Sequence, residues 1–347
     1  MSRPSFWRFL FTAVVGIVAV LGAGEWVVRT WVESPSIAIP TPRLRWRYGP
    51  HVRIVHSGEG FSIQRTNALG LLSPELLSPR TGRRVIVLGD SYAEALQVPA
   101  GQGFAAVAGR ALPGTEVVNA GTSGYSPLDC EEWAAMHAPA LAPDVLVLEL
   151  SEVNVRELLL PGVPGRIAHP PSDADRDAAE PETRMRRLAR SIMQHSALAT
   201  LGVRRVTLLV ADQRARLSRR FREAAVVAAR TGAPPADPRL PALLDTVCTR
   251  ASRLAPRFVI LYIPHIEYFK PGQPLTDSAA SAVVHEVATR HGWPLVDAGP
   301  GFREEFRRTG QPVHGFDNSV KGSGHINEAG HRIVGAALAR ELRGEKP

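Results

Sequence analysis

Four short segments of this 347-residue chain contain the residue types that acyl transfer at an ester requires. Ser91, in Gly-Asp-Ser, could act as a nucleophile, and His325, which lies between a glycine and a helical pattern, could act as its base. Gly124 could present a backbone N–H, and Asn154 a side-chain amide, to a negatively charged oxygen. A serine in Gly-Asp-Ser is also a common helix N-cap, so the argument depends on where the four segments lie.

Apolar runs that alternate with helical patterns predict a parallel sheet whose edge would gather these segments. Because ligand groups meet at the carboxyl ends of parallel strands, and Ser91, Gly124 and Asn154 each follow such a run, we expect them to lie together. The fold class is therefore α/β, a three-layer sandwich with a central parallel sheet of about five strands. The predicted strands are Val85–Leu88, Glu116–Asn119, Val145–Leu150, Phe258–Ile263 and Pro294–Asp297, and the predicted helices are Gly101–Leu112, Leu128–Leu141, Ser278–His291 and Asn327–Leu342.

The motifs at this edge resemble those of the SGNH/GDSL hydrolase family, over about residues 83–342 without a long insertion. Val-Leu-Gly-Asp-Ser-Tyr at 87–92 is similar to the family's first block, and the segment 118–126 to its second. The segment that begins at His325 resembles the block of the catalytic histidine. The resemblance implies a flavodoxin-like SGNH fold, Ser91 as nucleophile, His325 as base, and the N–H groups of Ser91 and Gly124 as an oxyanion hole.

Two positions depart from the family pattern. The family's third block usually reads Gly-x-Asn-Asp, whereas this chain has Ser-Glu-Val-Asn, which makes Asn154 the candidate for the third oxyanion donor. The family also has an aspartate three residues before the histidine, where this chain has Gly322. Asp317 could fold back to orient the imidazole, or Ser91 and His325 could form a dyad with a backbone carbonyl in place of the acid.

The resemblance implies a serine-dependent ester hydrolase or acyl (acetyl) transferase. The expected substrate is an ester-bearing carbohydrate or lipid of the cell envelope, and neither cofactor nor metal is required. The alternative is a catalytically inactive relative that binds glycans or acts as a scaffold, because the usual acid is missing. Two cysteines, Cys130 and Cys248, are too few for a disulfide-rich fold or a cysteine-based zinc site, and are either buried thiols or one disulfide.

The N-terminus predicts a membrane segment. Phe9–Val28 is about the length that crosses a hydrocarbon core, and Arg3 and Arg8 before it favour a cytoplasmic N-terminus. We therefore predict a signal anchor over 1–32, a single-pass protein of the cell membrane, and a catalytic domain on the extracytoplasmic side. A cleaved signal peptide and a buried core helix are the alternatives.

The rest of the chain divides into a connector, a domain and an insertion. Residues 33–82 predict an extended connector with short strands near Val52–Val55 and Phe61–Arg65, and residues 83–345 predict the hydrolase-like domain. Residues 151–256 are too long for a simple crossover, so they predict a helical insertion that is either a cap or an enlarged crossover with no role in the site.

Positive charge is concentrated in this insertion. The chain carries a net charge of +8 with 38 arginines and 3 lysines, and residues 184–230 alone contribute +10. The arginines either form solvated helix faces or contact an anionic lipid or glycan. Nucleic acid is excluded as a partner by the predicted export.

Overall fold

A five-stranded parallel sheet forms the centre of the protein in a computed structural model, which describes residues 3–41, 43–169, 183–203, 205–206, 237–266, 268 and 279–344. The strands are β1 Ile39–Pro40, β2 Trp46–Arg47, β3 Arg53–His56, β4 Ser62–Arg65, β5 Arg83–Leu88, β6 Thr115–Asn119, β7 Val145–Ser151, β8 Arg257–Ile263 and β9 Leu295–Asp297. Those of the central sheet lie in the order β6-β5-β7-β8-β9, and two short antiparallel hairpins, β1-β2 and β3-β4, precede it in the chain. The predicted α/β fold is therefore confirmed.

Helices cover both faces of the sheet, because its central strands are apolar on both sides. Leu128, Leu244 and Val284 belong to the core on one face, whereas Phe104 and Leu338 belong to the core on the other. The described helices are α1 Arg3–Val27, α2 Ser91–Glu94, α3 Phe104–Arg110, α4 Pro127–Leu141, α5 Glu152–Glu157, α6 Val163–Ala168, α7 Arg184–His195, α8 Leu240–Ser252, α9 Ala279–His291, α10 Gly299–Thr309 and α11 Glu328–Arg343.

The helix α1 is long and apolar enough to cross a membrane over Phe6–Val32, and none of its most apolar window is buried against the protein. It continues through one π-helical stretch, Val28–Val32, into the connector. This exposed apolar helix is a candidate membrane anchor or signal sequence, whereas the predicted alternative of a buried core helix is wrong.

The connector is folded onto the domain rather than extended. The hairpin β3-β4 is held there because Ser62 Oγ donates to the carbonyl of Leu96 and Gln64 Nε2 donates to the carbonyls of Ala95 and Val98. These acceptors lie in the loop that follows the short helix of Ser91. The turn of this hairpin therefore comes close to the predicted nucleophile.

The insertion is helical where the structure describes it. It contains α6, α7 and α8, whereas residues 170–182, 204 and 207–236 lie outside the described residues. Cys130 and Cys248 are both buried free thiols, so the predicted alternative of a disulfide is wrong.

Candidate active site

Ser91 and His325 form a hydrogen-bonded pair at the carboxyl edge of the sheet. Ser91 begins α2 directly after β5, and the preceding Asp90 caps this helix by accepting a hydrogen bond from the N–H of Tyr92. The hydroxyl of Ser91 lies 2.7 Å from His325 Nε2. This distance is short enough for the imidazole to remove the hydroxyl proton.

The second ring nitrogen of His325 contacts a carboxylate that sequence reasoning missed. Glu59 Oε2 lies 2.6 Å from Nδ1, and Glu59 Oε1 accepts a hydrogen bond of 3.1 Å from the backbone N–H of His325. The carboxylate thus fixes both the ring and the main chain of the histidine. Serine, histidine and acid stand in the same order of contacts as in a serine-hydrolase triad.

The turn of hairpin β3-β4 holds Glu59 in this position. Asn318 clamps the turn from the other side, since its Oδ1 accepts from the N–H of Gly60 and its Nδ2 donates to the carbonyls of Gly60 and Ser57. Gly324 provides the necessary space, because a Cβ at this position would collide with the Glu59 carboxylate. Residues of the loop before His325 therefore hold Glu59 in position.

Asp317, the acid expected from sequence, does not contact the histidine. Its side chain is 97% exposed and pairs with Lys321 at 2.9 Å. The predicted alternative of a backbone carbonyl at Nδ1 does not hold either, since Glu59 occupies that position. The expected role of Asp317 is wrong because the folded connector places the carboxylate of Glu59 on Nδ1.

The predicted oxyanion donors follow the neighbouring strands. Among the described residues, neither the N–H of Ser91 nor that of Gly124 donates a hydrogen bond to the protein. Gly124 adopts a φ of +77°, which a side chain would strain, and its carbonyl accepts from Arg45. Both N–H groups therefore remain available to an oxygen of the substrate.

Asn154 is buried beside the nucleophile loop. Its Oδ1 accepts from the N–H and the hydroxyl of Ser151, which fixes the amide so that Nδ2 donates to Asp90 Oδ2 at 3.0 Å. The structure thus brings Asn154 to the same edge as Ser91, with Nδ2 donating to Asp90 and, at 3.5 Å, to the carbonyl of Tyr125.

Buried carboxyl groups lie beneath the nucleophile. Burial raises the pKa of Glu149 well above its ordinary value, and the neighbouring charge of Asp90 raises it further. Burial also raises the pKa of Asp90, against the hydrogen bonds from Tyr92 and Asn154. Glu149 Oε1 has no partner among the described residues, whereas its Oε2 accepts from the N–H of Asp90. We assign the proton of this pair to Glu149, so that Glu149 is neutral beneath the nucleophile.

Two other histidines near the site are structural. His331 Nδ1 accepts a hydrogen bond from the N–H of Phe104, and burial lowers its pKa to about 3. His314 lies 2.8 Å from the hydroxyl of Tyr268, and burial likewise lowers its pKa to about 3. Asp297 caps the start of α10 and pairs with His285, away from the base.

A groove of about 680 Å³ borders the turn that carries Glu59. Gly60 and Phe61 line one side, and Asp317, Asn318 and Lys321 line the other. Within the described ranges, no group of three or more histidine, cysteine or acidic side chains is arranged to hold a metal ion.

The model of the GDSL-like Lipase/Acylhydrolase family matches residues 87–333. No curated protein matches the chain.

Several solved structures resemble the chain at low identity. Axe2, an acetylxylan esterase from Geobacillus stearothermophilus, is 16% identical with a TM-score of 0.41, covering 76% of this chain and 96% of its own. A lipolytic protein of the G-D-S-L family from Veillonella parvula DSM 2008 is 15% identical with a TM-score of 0.39, over 75% and 97% of the two chains. LAE5, an alpha/beta hydrolase from the metagenome of Lake Arreo, Spain, is 15% identical with a TM-score of 0.41, over 76% and 96%.

Proposed function

The chain belongs to the GDSL-like lipase/acylhydrolase family, and on this basis we propose that it is a serine esterase or acyltransferase whose centre is Ser91, His325 and Glu59. One observation carries the proposal: a single imidazole lies 2.7 Å from the Ser91 hydroxyl and 2.6 Å from the Glu59 carboxylate. An inactive relative has no requirement for an acid on the second ring nitrogen. The geometry therefore favours catalysis over the alternative of a glycan-binding scaffold.

The proposed reaction begins with a proton transfer. His325 Nε2 takes the proton of Ser91 while Oγ attacks the ester carbonyl, and the imidazolium later returns that proton to the leaving alcohol. The Glu59 carboxylate accepts a hydrogen bond from Nδ1–H, which keeps the proton on Nδ1 and leaves Nε2 unprotonated before attack. Its negative charge stabilises the imidazolium afterwards. Water or a sugar hydroxyl then accepts the acyl group in a second, equivalent step.

The charge that develops on the carbonyl oxygen needs donors. The N–H groups of Ser91 and Gly124 are free to point at this oxygen, whereas Asn154 Nδ2 would have to exchange its long bond of 3.5 Å to the carbonyl of Tyr125 for one to the oxygen. Donors of this kind are each worth roughly 3–4 kcal/mol of transition-state stabilisation when they are already in place.

The proposed location is the extracytoplasmic face of a membrane, with α1 as an uncleaved anchor. Residues just beyond the apolar part of α1 make specific contacts with the folded chain: Ser34 exchanges two hydrogen bonds with Val55, and Arg53 donates to the carbonyl of Thr30. Because α1 continues directly into residues that make these contacts, we expect it to stay attached to the domain as an anchor. The substrate class that fits this location is a carbohydrate or lipid ester of the cell envelope.

A fluorophosphonate probe tests the nucleophile directly. We expect the full chain in detergent to be labelled at Ser91 and to hydrolyse a soluble acetyl ester, and Ser91→Ala to lose both properties. Ser123→Ala is a matched control, since Ser123 lies on the neighbouring loop and bonds Glu94 rather than the histidine. A folded wild-type protein that is neither labelled nor active would reject the proposal in favour of the scaffold.

A further inference from the structure

The helix α7 is amphipathic, and its apolar stripe is not covered by the described protein. Met185, Leu188 and Ile192 recur at helical spacing and are 75%, 56% and 50% exposed. At about 3.6 residues per turn they fall within one sector, while Arg187 and Arg190 fall on the remaining circumference. A stripe of this kind is unfavourable in water and is typical of a surface that meets another apolar phase.

Hydrogen bonds join the end of α7 and the segment after it to the C-terminal end of the proposed membrane helix. Arg29 donates to the carbonyl of His195, the last residue of α7, at 2.6 Å. Glu25 caps the helical segment 197–203 that follows, since its carboxylate accepts from the N–H groups of Ala197 at 2.7 Å and Leu198 at 3.0 Å. The junction after α7 therefore lies at the level of Glu25.

Glu25 is the first acidic residue within the apolar helix Phe6–Val32, and we take it as the end of the part that lies in the hydrocarbon core. From Phe6 to Glu25 there are 20 residues, which at about 1.5 Å per residue cover roughly 30 Å, the thickness of a hydrocarbon core. Trp26 and Trp31, both exposed, follow immediately, where an interfacial aromatic belt would lie. A further hydrogen bond joins α7 to the connector, since the N–H of Ser36 donates to the carbonyl of Met193.

We propose that α7 lies in the interface of the same bilayer that α1 crosses, with its apolar stripe among the acyl chains and its arginines on anionic lipid phosphates. The contacts with the end of α1 set the depth of α7 in the bilayer. The arginines of α7 supply the positive charge that complements anionic lipid headgroups. Guanidinium groups bind phosphate through paired hydrogen bonds, which suits a lipid headgroup. The inference rests on the proposed membrane anchoring but is independent of the esterase chemistry.

Environment-sensitive labels on the full chain test this placement. Ile192→Cys carries a fluorophore on the apolar stripe, and Arg187→Cys carries it on the arginine side as the matched control. Cys130 and Cys248 are buried, so they remain in place, and unlabelled wild-type protein gives the background. The proteins are reconstituted into nanodiscs of phosphatidylcholine, with or without phosphatidylglycerol, and doxyl-labelled lipids serve as quenchers.

We expect the label at residue 192 to shift to the blue and to be quenched by doxyl lipid, more strongly with phosphatidylglycerol, while the label at residue 187 stays water-exposed. Arg184→Glu combined with Arg187→Glu should abolish the dependence on phosphatidylglycerol. A label at residue 192 that reports water in both kinds of disc overturns the proposal. So does a shift that requires added anionic polysaccharide. A parallel assay with a soluble ester shows separately whether the catalytic proposal holds.

Discussion

Glu59 and His325 are 266 positions apart in the chain, yet two hydrogen bonds join the carboxylate of one to the ring and main chain of the other. A carboxylate in this position would fix the tautomer that leaves Nε2 free to accept the serine proton. The acid thus comes from the hairpin that leads into the domain and not from the loop before the histidine.

The first prediction concerns this acid. Glu59→Gln keeps the size of the side chain but removes its charge, so we expect kcat to fall by about 10²–10⁴, as for the acid of a serine protease. Asp317→Asn is the matched control and should change kcat less than about twofold, because that side chain is exposed and pairs with the surface lysine Lys321. Steady-state kinetics on a soluble ester measure both; an unimpaired Glu59→Gln together with an impaired Asp317→Asn would restore Asp317 as the acid.

The second prediction concerns Asn154. Asn154→Ala removes the third candidate donor, and we expect kcat to fall by about 10²–10³ while KM changes little. Ser151→Ala is the comparison, because it loses the serine that caps the same helix but keeps the amide. It should cost about 1 kcal/mol of unfolding free energy and much less activity. Equal losses of kcat in the two variants would mean that Asn154 only supports the helix.

A third prediction follows from the raised pKa of Glu149. The folded protein retains a proton on this carboxyl that the unfolded chain releases, so wild-type stability should fall, relative to Glu149→Gln, as pH rises above the ordinary glutamate pKa. The expected slope is about 1 kcal/mol per pH unit until the raised pKa is passed. Chemical unfolding of both proteins between about pH 5 and about pH 8 measures it. Parallel curves would show that Glu149 is ionised in the fold.

The fourth prediction has the opposite sign and concerns His331. Burial lowers its pKa to about 3, so the unfolded chain binds a proton that the folded protein excludes. Wild-type stability should therefore fall, relative to His331→Gln, by about 1 kcal/mol for each pH unit below about 6.5. The glutamine can still accept a hydrogen bond from the N–H of Phe104. Unfolding curves between about pH 7 and about pH 5 test this, and a constant difference would contradict it.

Sequence patterns were sufficient for the sheet and for two members of the candidate site. Each predicted core strand has an observed counterpart, because a run of apolar residues buried on both faces is a strong local signal. Ser91 and His325 follow from motifs at the edge of that sheet. Ser91 follows β5 at the edge of the sheet, whereas His325 reaches that edge from the loop before α11, so their contact is expected from the motifs and not from strand order alone.

Glu59 could not be predicted in the same way, because its position depends on how a hairpin packs against a distant loop. The sequence still held a usable signal. Residues 33–82 contain three acidic residues, Glu33, Glu59 and Glu75, and only Glu59 stands between two glycines in the turn that joins two predicted strands. When the usual position of the triad acid carries glycine, an acidic residue in a tight turn is another candidate for that acid. The local sequence pattern does not show, however, which residue it contacts.

The location of Glu59 has a practical consequence for work with fragments. The family match begins at residue 87, after the hairpin, so a recombinant piece cut at that limit lacks the acid that contacts His325. Such a piece would also lack the partner for Asn318 and leave the loop before the histidine unsupported. A piece that begins at Arg83 instead would keep all of β5 and the whole sheet, yet it would still be scored as a pseudoenzyme because Glu59 is missing.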